Sequence, residues 1–152
     1  MADIYIETDN GATGKLFIAT LAGKSAATVE KLMRDTIRKI AEKKGSGFTL
    51  KKDQGGIGYA IGLSVAKIDK AALFLKCDLS GYIERYPPKL NFEGKPGQEL
   101  VGLKLTGNGK VNGTTDADML FCIESVVEKM MEKSCIPAMR QDMANRPAPP
   151  PP

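Results

Sequence analysis

The chain has 152 residues, 42% hydrophobic and 26% charged, values of one ordinary globular domain that exclude an intrinsically disordered chain. Its 22 Lys+Arg stand against 18 Asp+Glu, a net charge of +4; the signs are mixed along the chain, so this charge favours solubility over a field aimed at phosphates. Histidine is absent, which excludes Ser-His-Asp and Cys-His catalysis and every His-ligated metal site.

The opening Met1-Ala2-Asp3-Ile4 lacks the basic and apolar regions of a secretory leader. No stretch approaches the ~18 consecutive apolar residues of a membrane-spanning helix. The default expectation is a cytoplasmic protein without membrane contact, although a mature chain that had lost a leader would read the same way. Residues 3–8 predict a short strand, and Asp9-Asn10-Gly11 a turn, because Asn and Gly tolerate positive φ. The apolar run over 15–22 is read as a second strand, paired with the first as a hairpin.

Residues 25–44 predict a helix. Val29, Leu32, Met33, Ile37, Ile40 and Ala41 recur at helical spacing and form one apolar stripe. Ser25 suits the N-cap, Lys43 and Lys44 suit the C-terminal end of the dipole, and Gly45 can end the helix. Gly23-Lys24-Ser25 resembles the end of a phosphate-binding loop, but Ile18 stands where that pattern needs a glycine. A glycine turn followed by a serine cap is the simpler reading. Lys31, Arg34 and Arg38 run along the polar side of this helix, interrupted by Glu30, Asp35 and Glu42.

From residue 48 the period becomes two. A short strand over 48–50 is followed by a longer one over 59–68, where Tyr59, Ile61, Leu63 and Val65 alternate with Ala60, Gly62, Ser64 and Ala66. The large residues are expected to fill a core, and the small ones to allow close approach on the other face. Gly58, Ala60, Gly62, Ser64 and Ala66 are therefore the expected binding surface, joined by Met139 and Met143, which have no obvious core partner. Asp69-Lys70 turns the chain into a strand over 72–86, with Leu73, Leu75, Cys77 and Leu79 opposite Lys76, Asp78 and Ser80.

Pro87-Pro88 ends that strand, since proline lacks the ladder N–H. Residues 89–98 read as a loop, and 99–106 as a strand with Val101, Leu103 and Leu105 facing in. Gly107-Asn108-Gly109 and Asn112-Gly113 read as turn chemistry. They resemble a dinucleotide fingerprint only loosely, with the wrong spacing and no strand after the next helix. A second helix starts at Thr115, where Thr115-Asp116-Ala117-Asp118 resembles a capping box. Met119, Leu120, Ile123, Val126, Val127, Met130 and Met131 form its apolar stripe, and Ile136-Pro137 ends or kinks it. Residues 138–145 add another turn, and 146–152 form a proline-rich tail with polyproline II character.

Three cysteines, Cys77, Cys122 and Cys135, make no metal-binding spacing. Reduced, buried thiols are the favoured state, and one disulfide with a thiol left over stays open. Cys122 and Cys135 point to different sides of one helix and cannot pair across it. Cys135, near the helix end and Lys133, is the better reactive candidate.

Together these readings predict one α+β domain over residues 1–145 with a disordered tail over 146–152. The expected architecture is a two-layer sandwich, a mostly antiparallel sheet of four to five strands packed by two amphipathic helices. The texture is that of many small bacterial proteins. No catalytic, cofactor or metal residues are assigned, and no cofactor is expected. The leading functional expectation is a non-enzymatic binding module for a protein partner, with a homo-oligomer also open. One alternative is an anion- or nucleotide-binding domain using the loops at 23–25 and 107–113, which precede helix N-termini. The other, disfavoured, is weak nucleic-acid binding by the basic face of the first helix.

Overall fold

A computed structural model describes residues 4–9, 26–44, 48–49, 57–86, 92–95, 100–101 and 105–145. Five strands, β1 (Ile4–Asp9), β2 (Phe48–Thr49), β3 (Ile57–Lys70), β4 (Phe74–Tyr86) and β5 (Leu105–Asn112), form one sheet in the order β2-β1-β3-β4-β5. Strands β3, β4 and β5 are an antiparallel meander, whereas β1 runs parallel to both β2 and β3. The sheet is therefore mixed. The expected hairpin partner of β1, residues 15–22, lies outside the described residues, as do the loop at 23–25 and the tail at 146–152.

The helices are α1 (Ala26–Lys44), α2 (Asp116–Met130) and α3 (Ile136–Asn145), with a π-helical turn at Met131–Cys135 between the last two. Val29, Met33, Ile37, Ile40 and Ala41 of α1 and Met119, Cys122, Ile123, Val126, Val127 and Met130 of α2 are buried in one cluster. Tyr59, Ile61, Leu63 and Val65 of β3 and Leu75, Cys77, Leu79 and Ile83 of β4 belong to the same cluster. The apolar stripes of the two long helices thus share a core with the large-residue face of the meander, and the α+β class holds. Lys39 on α1 reaches over α2, its Nζ 3.0 Å from Glu128 and 3.5 Å from Glu124.

Three local readings change. Residues 107–112 are strand, not turn: Gly107 pairs with Leu79 and Gly109 with Cys77. The glycines belong to the ladder because α2 lies close above them. A Cβ on Gly107 would sit 2.6 Å from Met130 Cγ, and one on Gly109 2.6 Å from Val126 Cγ2. Only a residue without a side chain lets the helix approach that far. The true turn is Gly113, at φ 106°, a backbone region L-residues rarely enter. Leu100 meanwhile bridges Glu84, and Val101 N–H donates to Ile83 O at 2.8 Å, before β5 begins.

The second change is at Pro137. A proline ring in an α-helix presses on the carbonyl four residues earlier. Here the preceding turn widens to the π pattern, with Ile136 N–H donating to Met131 O. The helix therefore continues into α3 instead of ending after one more turn. The third is a bulge in β3 between Val65 and Lys67. Val65 pairs with Leu79 and Lys67 with Asp78, so Ala66 has no register partner and the core-facing series resumes at Ile68.

Candidate interaction surface

The two faces of the meander have different chemistry. On the helix-covered face one polar cluster is enclosed: the Tyr59 hydroxyl donates to Asp142 Oδ2 at 2.6 Å, and Arg85 Nη2 lies 2.7 Å from Asp142 Oδ1. Tyr59 is fully buried and the Asp142 side chain is 12% exposed. The hydroxyl also lies 3.3 Å from the Met139 carbonyl. Burying a carboxylate demands such partners, and the arrangement fastens α3 to β3 and β4. These bonds tie the three groups to one another, the geometry of a structural clamp.

On the opposite face the stripe of small residues is not uniform. Gly58, Ala60 and Gly62 are buried, Ser64 is half-buried, and Ala66 is exposed at the bulge. The cover over Gly62 is the ring of Tyr82, its register partner on β4, which a Cβ on Gly62 would overlap. Ser64 Oγ lies 3.4 Å from Ser80 Oγ. Accessible surface therefore begins only at Ser64 and runs toward the β3–β4 turn. Met139 is fully buried in the core and Met143 is half-buried against it, because α3 continues past Pro137 and folds both onto the cluster.

Beyond Ser80 the exposed face carries Lys76, Asp78, Asn108 and Lys110, with Phe74 half-buried. Lys76 and Lys110 are direct register partners across β4 and β5. Both ammonium groups converge on the Phe74 ring, at 4.2 Å for Lys110 and 5.6 Å for Lys76. Like charges directly opposite in a sheet are destabilising. A cation over an aromatic face at an exposed site recovers about 0.5–1 kcal/mol. Asp69, the other register partner of Lys76, instead lies 3.4 Å from Lys67. The outward positions of Lys76 and Asp78 were legible as alternation in the sequence. Lys110 was missed, because a Gly-Asn-Gly segment reads as a turn until the helix above it is known.

The described groups elsewhere do not assemble chemistry. Cys77, Cys122 and Cys135 are all buried free thiols. Burial pushes Cys135 up to about 12, so the expectation that it is reactive fails: the thiolate is the nucleophile, and it is suppressed here. Cys77 is raised well above its ordinary value, by burial first and then by the neighbouring Cys122 thiol. Among the described residues no group of three or more His, Cys, Asp or Glu could hold a metal ion, and no helix is long and apolar enough to cross a membrane. The loop reading of 107–113 is overturned by strand β5. On α1, Lys31 and Arg38 are exposed and Arg34 half-buried, with exposed Asp35 between them and exposed Glu42 one turn beyond.

No family model matches the chain, and no curated protein matches it. Among solved structures, a protein from Xanthomonas campestris is 11% identical with a TM-score of 0.48, covering 95% of this chain and 88% of that one. The rare lipoprotein B of Shewanella oneidensis is 8% identical with a TM-score of 0.48, covering 94% of this chain and 97% of that one. A minor lipoprotein of Acinetobacter baumannii is 10% identical with a TM-score of 0.44, covering 95% and 94%.

Proposed function

We propose that this chain is a non-catalytic binding module whose contact surface is the exposed face of the β3–β4–β5 meander, and whose partner is a protein presenting acidic side chains. The observation that carries the reading is the convergence of Lys76 and Lys110 on Phe74. A directly opposed lysine pair breaks a rule of sheet stability, and sequences keep such violations where function needs them. A carboxylate placed over the pair would relieve the repulsion and gain a charge-assisted contact. Ser64, Ser80 and Asn108 extend the same face with neutral hydrogen-bonding groups, and Ala66 lies open at its bulged margin.

The nucleic-acid alternative draws less support, because acidic residues interrupt the α1 row and Lys39 is engaged by Glu124 and Glu128. The test is a backbone-amide NMR titration of the full chain with poly-L-glutamate and, separately, with duplex DNA. Shifts at Phe74, Lys76 and Lys110 with poly-L-glutamate, lost in Lys76→Glu/Lys110→Glu but kept in Lys31→Glu, are expected. Shifts confined to α1, or responses to duplex DNA alone, would replace this reading with the nucleic-acid one.

A further inference from the structure

Two of the three thiols are buried in the same core cluster, on a strand and a helix far apart in sequence, and both flank Gly109. Cys77 points from β4 into the helix-covered side and is fully buried; Cys122 points down from α2 and is 1% exposed. The register partner of Cys77 on β5 is Gly109. Directly opposed residues in an antiparallel pair have Cβ positions about 4.5–5.5 Å apart. The Cβ position of Gly109 is vacant, and Cys122 Sγ lies 3.6 Å from it. Gly109 thus leaves open the position beside Cys77 that the Cys122 sulfur approaches, and the Cys122 thiol adds to burial in raising Cys77 above its ordinary value. Cys135 lies on the π turn, where burial raises it.

We propose that Cys77 and Cys122 form a disulfide that staples α2 to β4 when the chain meets a disulfide oxidant. The inference is independent of the binding surface proposed above. The reaction is a double thiol–disulfide exchange. One protein thiol loses its proton and attacks a sulfur of the oxidant, giving a mixed disulfide and releasing one oxidant thiolate. The second protein thiol loses its proton and attacks the protein sulfur of that mixed disulfide, forming the Sγ–Sγ bond and releasing the second thiolate. The protein gives up two electrons and two protons, and the oxidant disulfide becomes two thiols. With both sulfurs buried, exchange passes through opening of the β5–α2 layer or through the folding chain, so the bond forms slowly and resists reductants once made. A disulfide tolerates only a narrow range of Cβ separations, and a helix held close by Gly107 and Gly109 favours that range.

The test is refolding of the full chain in a buffer of oxidised glutathione, followed by thiol counting after denaturation, peptide mapping by mass spectrometry and near-UV circular dichroism. The expected result is a fall from three free thiols to one, a mapped Cys77–Cys122 link and an unchanged native spectrum. Cys135→Ala should form the same link, and Cys122→Ala should form none. Three thiols remaining free in a refolded native chain would overturn the proposal. So would a link through Cys135, or a Cys77–Cys122 bond made only with loss of the native spectrum.

Discussion

The glycines of β5 lie under different neighbours, and that difference sets what each tolerates. Above Gly107 the nearest atoms belong to Met130, with Val126 Cγ1 at 2.9 Å; above Gly109 the nearest is Val126 Cγ2. Methionine has three rotatable bonds and yields, whereas valine is stiff at χ1. Both Gly→Ala changes overpack the layer, at about 1–3 kcal/mol, and Gly109→Ala is expected to be the costlier. Urea unfolding of the two variants checks the order, and equal midpoints would contradict it. Gly62 sits beneath the Tyr82 ring, so Gly62→Leu displaces that ring and reports on folding; charge reversals at Lys76 and Lys110 are the cleaner probes of binding. At the clamp, Tyr59→Phe deletes the donor to the Asp142 carboxylate but leaves Arg85 in place. Removing a hydrogen bond to a charged group costs about 1.5–3 kcal/mol, and a drop in urea midpoint with unchanged m-value is the expected reading.

Among the elements, α2 depends most visibly on its start. Thr115 Oγ1 accepts from the Asp118 N–H at 3.2 Å, while the Thr115 N–H donates back to Asp118 Oδ2 at 3.0 Å. The Thr115 hydroxyl also donates to that carboxylate at 2.7 Å. These bonds hold the Asp118 carboxyl below its ordinary value. A carboxyl depressed by folding contributes its stability fully above the unfolded value of about 3.9, and loses it as pH falls through the lower folded value. Asp118→Asn should therefore flatten the acid limb of the stability curve below about pH 4 relative to wild type, as followed by circular dichroism at 222 nm in mild urea. An unchanged limb would show that the box does not couple to folding. Thr115→Ala should cost about 1 kcal/mol at neutral pH.

This helix was almost wholly legible in the sequence, since its cap, its stripe and its entry into the core are all local patterns. The same holds for α1 and for the β3–β4 hairpin, where alternation places Tyr59, Ile61, Leu63 and Val65 inside. Legibility failed where the deciding partner is distant. Gly107 and Gly109 read as turn residues until α2 is known to press on them, and Met139 looked unpartnered until α3 was seen to continue past Pro137. The placing of Cys77 and Cys122 about Gly109 and the Lys76–Lys110 pair depend on that same β5 register. Local pattern carries no record of it.

At the scale of the molecule the least local feature is the parallel seating of β1, where Ile4 partners Ile57 and Asp9 partners Gly62. By contrast β3 and β4 are joined through residues 71–73, and β5 leads into α2 through 113–115. Contacts close in sequence form before those that must first close a long loop. Pulse-labelled hydrogen exchange during refolding should therefore protect the amides of β4 and α2 before those of β1, and simultaneous protection would count against this order. On a ribosome the asymmetry is sharper, because synthesis delivers β1 before β3. At about 5–20 residues per second, the β1 segment emerges seconds before β3 exists to receive it. Until β3 exists, the register of Ile4 with Ile57 and Asp9 with Gly62 cannot form. β1 is made before the strand that seats it.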